Sequence, residues 1–112
     1  MKIAIASDNK NVASHFGHCE AFECFTVKDK KIQEWSTIPN PGHKPGFLSV
    51  FLYKKEVNVI ISGGMGQSTA ELFQRNGIEV ICGAIGNIED NAKSYINGTL
   101  NPKGPLCEEH DY

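Results

Sequence analysis

Residues 57–73 read VNVIISGGMGQSTAELF. The opening run, Val57-Asn58-Val59-Ile60-Ile61, is apolar except for Asn58 and rich in β-branched residues. That pattern suits a short strand covered on both faces in a parallel sheet. Gly63-Gly64-Met65-Gly66 follows after Ser62, and residues 67–76 then have helical spacing. A strand, a glycine turn and a helix N-terminus in succession make a place where backbone N–H groups converge on an anion. A Cβ there would resist positive φ and hold a ligand away from the backbone. The competing reading of the same glycines is close packing between strand and helix, since no P-loop lysine accompanies them.

Working outward, residues 2–6 (KIAIA) form a first strand that ends at Ser7-Asp8, and residues 7–17 form a polar loop. Residues 21–28 and 31–38 are strand-like runs joined by Asp29-Lys30, the spacing of a tight hairpin. The second run has no clean apolar face, which suits an edge strand. Residues 39–46 (PNPGHKPG) read as a surface loop with a solvated His43. Residues 47–56 carry an apolar stripe at helical spacing. Gly77 stands where a helix over 67–76 needs its left-handed terminator. Residues 78–82 make the last core strand. Asn87 caps a final helix with Asp90 three residues on, and Ile88, Ala92, Tyr95 and Ile96 give it a buried stripe that Gly98 ends.

The element order is therefore β-β-β-α-β-α-β-α. Right-handed crossovers turn it into a five-stranded mixed sheet of order 3-2-1-4-5 with strand two antiparallel and helices on its faces. Strands one and four are central and parallel, and their connections leave in opposite directions. Ligands of open α/β sheets bind at such a switch point. The loops 7–17, 63–66 and 83–87 are expected to meet there.

The bounds agree with one domain over residues 1–100, followed by an irregular tail over 101–112. With 11 basic and 13 acidic residues the net charge of −2 gives no basis for a nucleic-acid partner or an anionic membrane surface. No apolar run approaches the roughly 20 residues of a membrane span. The start, MKIAIASDNK, has too short an apolar core for a secretory signal, so a cytoplasmic location is expected. There Cys19, Cys24, Cys82 and Cys107 are expected to be thiols.

The most chemically loaded stretch is His15-Phe16-Gly17-His18-Cys19, two imidazoles and a thiol within five residues. Soft sulfur and imidazole suit iron, copper or zinc. The plainer reading is a surface turn with an exposed histidine and a buried cysteine. Cys24 and Cys82 lie inside strand patterns and read as core. In the tail, Cys107 and His110 have C-x2-H spacing among three acidic residues, which favours a divalent metal such as zinc over an anionic cluster. With His18 and Cys19 they would complete a four-ligand metal set. The plainer reading is an irregular acidic end.

His15-Phe16-Gly17 with Phe22, then residues 60–66 (IISGGMG), then Gly77-Ile78-Glu79-Val80 and Gly83 through Gly86, resemble the dinitrogenase iron–molybdenum cofactor biosynthesis accessory family. The likeness covers roughly residues 1–100. It implies a ribonuclease-H-like α/β fold and a non-enzymatic role in binding or carrying a metal–sulfur cluster, of Fe–S, Fe–Mo or Mo–Cu type. Its partners would be cluster-donating and cluster-accepting proteins of a nitrogenase accessory or related pathway. The radical-SAM signature found in some members is absent. On this reading the binding set is Ser7, Asp8, His15, Phe16, Gly17, His18, Gly63, Gly64, Met65 and Gly66. A nuclease is rejected, because Asp8 is the one acidic residue close to the end of strand one and two-metal cleavage needs several. A small-molecule anion or nucleotide binding module stays open as the alternative.

Overall fold

In the computed structural model, residues 1–42 and 46–100 are described. The axis of the sheet is β1 (Lys2–Asp8), whose residues 3–7 are all buried. Its pleat sends Ala4 and Ala6 into one apolar layer and Ile3 and Ile5 into the other. A two-residue strand, β2 (Asn11–Val12), folds back on the end of β1. The long hairpin β3 (Ala21–Lys28) and β4 (Lys31–Pro39) pairs antiparallel along the other side of β1. Helix α1 (Phe47–Lys54) then leads to β5 (Val59–Ile61), α2 (Gln67–Arg75) to β6 (Glu79–Ile81), and the described chain ends with α3 (Ile88–Ile96). β5 is parallel to β1, and β6 is parallel to β5. The sheet runs β4-β3-β1-β5-β6, with β2 attached to β1 alone.

Among the described residues six strands replace the five expected. The extra one, β2, arises within the stretch read as loop because Asn9 (φ 51°) and Lys10 (φ 66°) form a tight turn with both residues left-handed. That turn normally announces itself as Asn-Gly, and Asn-Lys carries a weaker signal. Asp29 (φ 54°) and Lys30 (φ 61°) do the same between β3 and β4, where a hairpin was expected. The parallel strands are shorter than read. Only residues 59–61 pair with 3–5 on one side and 79–81 on the other. Val57 and Ile78 are nonetheless buried, so the apolar run was core beyond the ladder.

Helices α1 and α2 cover one face through Leu48, Leu52, Ala70 and Phe73. Helix α3 covers the other through Ile88 and Ala92. Asn87 caps α3 as expected, its Oδ1 accepting from the Asp90 N–H at 3.0 Å. Gly77 (φ 75°) ends α2 left-handed. No helix among the described residues is long and apolar enough to cross a membrane. Cys19 and Cys24 are free and buried. Cys82 is disulfide-bonded, so the expectation of a thiol fails there. His43, Cys107 and His110, and with them the tail half of the expected metal set, lie outside the described residues.

Candidate functional site

Because β1 and β5 are adjacent and parallel, their carboxyl ends open onto the same edge of the domain. The loop after β1 crosses this edge and zips onto the glycine turn. Gly63 N–H donates to Ala13 O at 2.9 Å, Gly64 N–H to Ser14 O at 2.6 Å, and Phe16 N–H to Gly64 O at 2.9 Å. The loop after β6 joins from the other side, with Gly83 N–H on Gly63 O (2.9 Å) and Ala84 N–H on Ser62 O (3.1 Å). Val12 N–H reaches Gly86 O at 2.8 Å. The three loops expected at the switch point thus meet there through backbone hydrogen bonds.

That convergence changes the reason for the glycines. A Cβ on Gly63 would lie 2.6 Å from Ala13 O, and one on Gly64 3.0 Å from Ser14 O. Neither residue, nor Gly66, has positive φ. The argument from left-handed backbone is therefore corrected: this turn needs glycine because another stretch of main chain lies against it. The N–H groups of Gly63 and Gly64 are committed to that stretch. At the start of α2, Gly66 supplies no side-chain cap.

Phe16 anchors the His15–Cys19 loop. It is buried, edge-on to Phe73 at 5.4 Å and tilted against Phe22 at 5.6 Å. Met65 belongs to the same cluster. A short 3-10 turn over Phe16–His18 leaves His15 and His18 exposed on either side of that anchor. Cys19 faces inward. Burial, reinforced by the charge of Asp8, pushes its thiol up to about 12, so it is protonated at neutral pH. Asn40 Nδ2 holds this end of the loop by donating to Cys19 O at 2.9 Å.

Ser7 and Asp8 turn elsewhere. The Ser7 hydroxyl donates to Ala21 O at 3.2 Å and Glu23 Oε2 at 3.4 Å, while Asp8 Oδ1 accepts from Glu20 N–H at 2.8 Å. The structure thus brings together His15, Gly17, His18 and the Gly63–Gly66 turn, with Phe16 and Met65 beneath them as packing. Among the described residues no group of three or more His, Cys, Asp or Glu side chains is placed to hold a metal ion. Sequence reading missed Asn40, which fastens the loop, and Ser62. Ser62 is fully buried at the end of β5, and its hydroxyl has no partner among the described residues. Its one signal was a hydroxyl closing an apolar run directly before the glycines.

The model of the family described as dinitrogenase iron-molybdenum cofactor matches residues 1–98. The chain belongs to that family. Within reach of this dinitrogenase-cofactor-family chain, the uncharacterized protein MJ0580 of Methanocaldococcus jannaschii is 34% identical over 106 residues, covering 89% of each. The crystal structure of PH0822 superposes with a TM-score of 0.86 at 27% identity, over 91% of this chain and 94% of that one. The apo orange protein of Desulfovibrio gigas shares the fold, with a TM-score of 0.75 at 17% identity over 94% of each chain. Membership associates this family protein with nitrogenase-cofactor-related proteins.

Proposed function

We propose that the chain binds or carries an iron/molybdenum–sulfur type cluster without turning it over, and hands it between donor and acceptor proteins. The observation that carries this reading is the placing of exposed His15 and His18 in a loop fixed against the glycine turn that leads into α2. A metal–sulfide cluster is commonly anionic, so a helix N-terminus attracts it, and imidazole is a ligand of matching softness. The cluster is cargo here. Few and exposed donors suit cargo that must leave again, unlike a closed four-cysteine site.

The same reading takes the sheet as ribonuclease-H-like. It leaves Cys19 a supporting role, because a protonated buried thiol is a poor ligand until it is exposed and deprotonated.

Anaerobic incubation with iron, molybdate and sulfide, followed by desalting, tests the reading. The expected result is a coloured protein with stoichiometric metal and acid-labile sulfide, and loss of most colour in His15→Ala/His18→Ala. A colourless protein, or equal loading of the double variant, would overturn it.

A further inference from the structure

A hollow lies on the α3 face of the sheet, between β4 and the start of α3. It has a volume of about 470 Å³, inside the range of roughly 300–1,000 Å³ typical of small-molecule sites. Strand register explains its floor. Glu23 stands opposite Thr37, and Phe25 opposite Trp35, so these side chains share one face of β3–β4. Glu23 is only 8% exposed. Its Oε1 accepts from Trp35 Nε1 at 2.8 Å and Thr37 Oγ1 at 2.7 Å, and its Oε2 takes a long 3.4 Å contact from Ser7 Oγ.

All three donors are neutral. A buried carboxylate with neutral donors alone keeps most of its attraction for a cation, and Oε2 keeps acceptor capacity. The same bonds fix Trp35 by its N–H while Phe25 packs on it at 4.8 Å, yet the indole is half-exposed.

The other wall comes from Lys10 in the β1–β2 turn and from Ile88 and Glu89. The start of α3 offers an anion little. Ile88 N–H is taken by Lys10 O at 3.2 Å and Asp90 N–H by Asn87 Oδ1. Glu89 and Asp90 already place negative charge there. Among the described residues Glu89 pairs with Lys93 at the surface, a contact that is weak and exchangeable.

The geometry points to a binding site for a small organic cation, an amine or guanidinium compound, seated against the exposed part of the Trp35 ring and beside the Glu23 carboxylate. An aromatic face beside a desolvated carboxylate is the arrangement that recognises such groups. This site is independent of the cluster reading, because it shares no side chain with the exposed histidines or the start of α2.

Trp35 is the chain's one tryptophan, so its emission reports on the site directly. The experiment titrates the full chain with agmatine, and in parallel with glutarate and butanol, at constant ionic strength. Saturable change with agmatine and none with the other two is expected. Glu23→Gln should weaken agmatine roughly tenfold, about 1.4 kcal/mol. Lys10→Asn, which tolerates the left-handed turn, should tighten it. If Glu23→Gln is unfolded by circular dichroism, Glu89→Gln, at a partly exposed position, replaces it, with a smaller loss expected. A non-saturating response, an equal response to glutarate, or unchanged affinity in a folded glutamate variant would overturn the assignment.

Discussion

Gly63→Ala separates the two roles a glycine turn can have. The added methyl would lie 2.6 Å from Ala13 O and 3.0 Å from Ser14 Cα, where ordinary contact needs 3.4 Å or more. Both neighbours are main chain, so no side chain can swing aside. The loop must lift, which strains the Gly63–Ala13 and Gly64–Ser14 hydrogen bonds. Over-packing of this kind costs about 1–3 kcal/mol, and each weakened backbone bond about 1 kcal/mol more. A total of about 3–5 kcal/mol corresponds to a melting temperature roughly 12–22 °C lower for a chain of this size. Gly77→Ala is the matched control, because its methyl meets nothing within 4 Å but sits at φ 75°. Left-handed alanine costs about 1–2 kcal/mol, partly offset by a stiffer unfolded chain. Calorimetric melting should therefore rank wild type above Gly77→Ala and Gly77→Ala well above Gly63→Ala. If Gly63→Ala melts like wild type and only loses cluster loading, the turn is a ligand cradle and the packing argument fails.

Three further outcomes are expected. Phe16→Ala should lose about 3–5 kcal/mol in urea unfolding by leaving a cavity against Phe22 and Phe73, and a loss below about 1 kcal/mol would mean the loop is not anchored there. Burial raises the Cys19 and Cys24 thiols from 9.0 to about 12 and about 11, so the folded state holds these protons more tightly than the unfolded chain. Their stabilisation is complete below pH 9.0 and falls as pH rises toward 11 and 12; the urea midpoint should drop over that window, less so in Cys19→Ala, and iodoacetamide should label neither thiol in native protein at neutral pH. Asn87→Ala should cost about 1 kcal/mol by uncapping α3, read from the same urea curves.

The strands and helices were legible where one physical signal dominated. Phe22, Cys24 and Phe25 alternate along β3 between two apolar layers, and Asn87 with Asp90 marks a cap that exists as read. β2 was not legible, because its turn depends on Asn9 and Lys10 accepting positive φ without glycine. The site was half legible. That the HFG loop and the glycine turn meet followed from topology. The commitment of the Gly63 and Gly64 N–H groups did not, since it depends on which main chain lies within hydrogen-bond reach. Glu23 read only as one polar position of a strand. Its burial beneath Trp35 and Thr37 comes from cross-strand register, which a one-residue slip would reverse.

The packing role of the glycines and the cluster reading support each other. A loop tied to Gly64 at Phe16 N–H, and pinned in the core by the Phe16 ring, presents His15 and His18 from a fixed backbone. A ligand that meets fixed donors does not spend binding energy on ordering them. Two imidazoles and one helix end are a weak set, yet rigidity lets a weak set capture a cluster that a flexible one would miss. Loosening the loop at Gly63 should then lower loading even though His15, His18 and the start of α2 are chemically untouched. The dependence of loading on the loop's stability, rather than on any single donor, is what distinguishes a fixed presentation site from a cradle of amides.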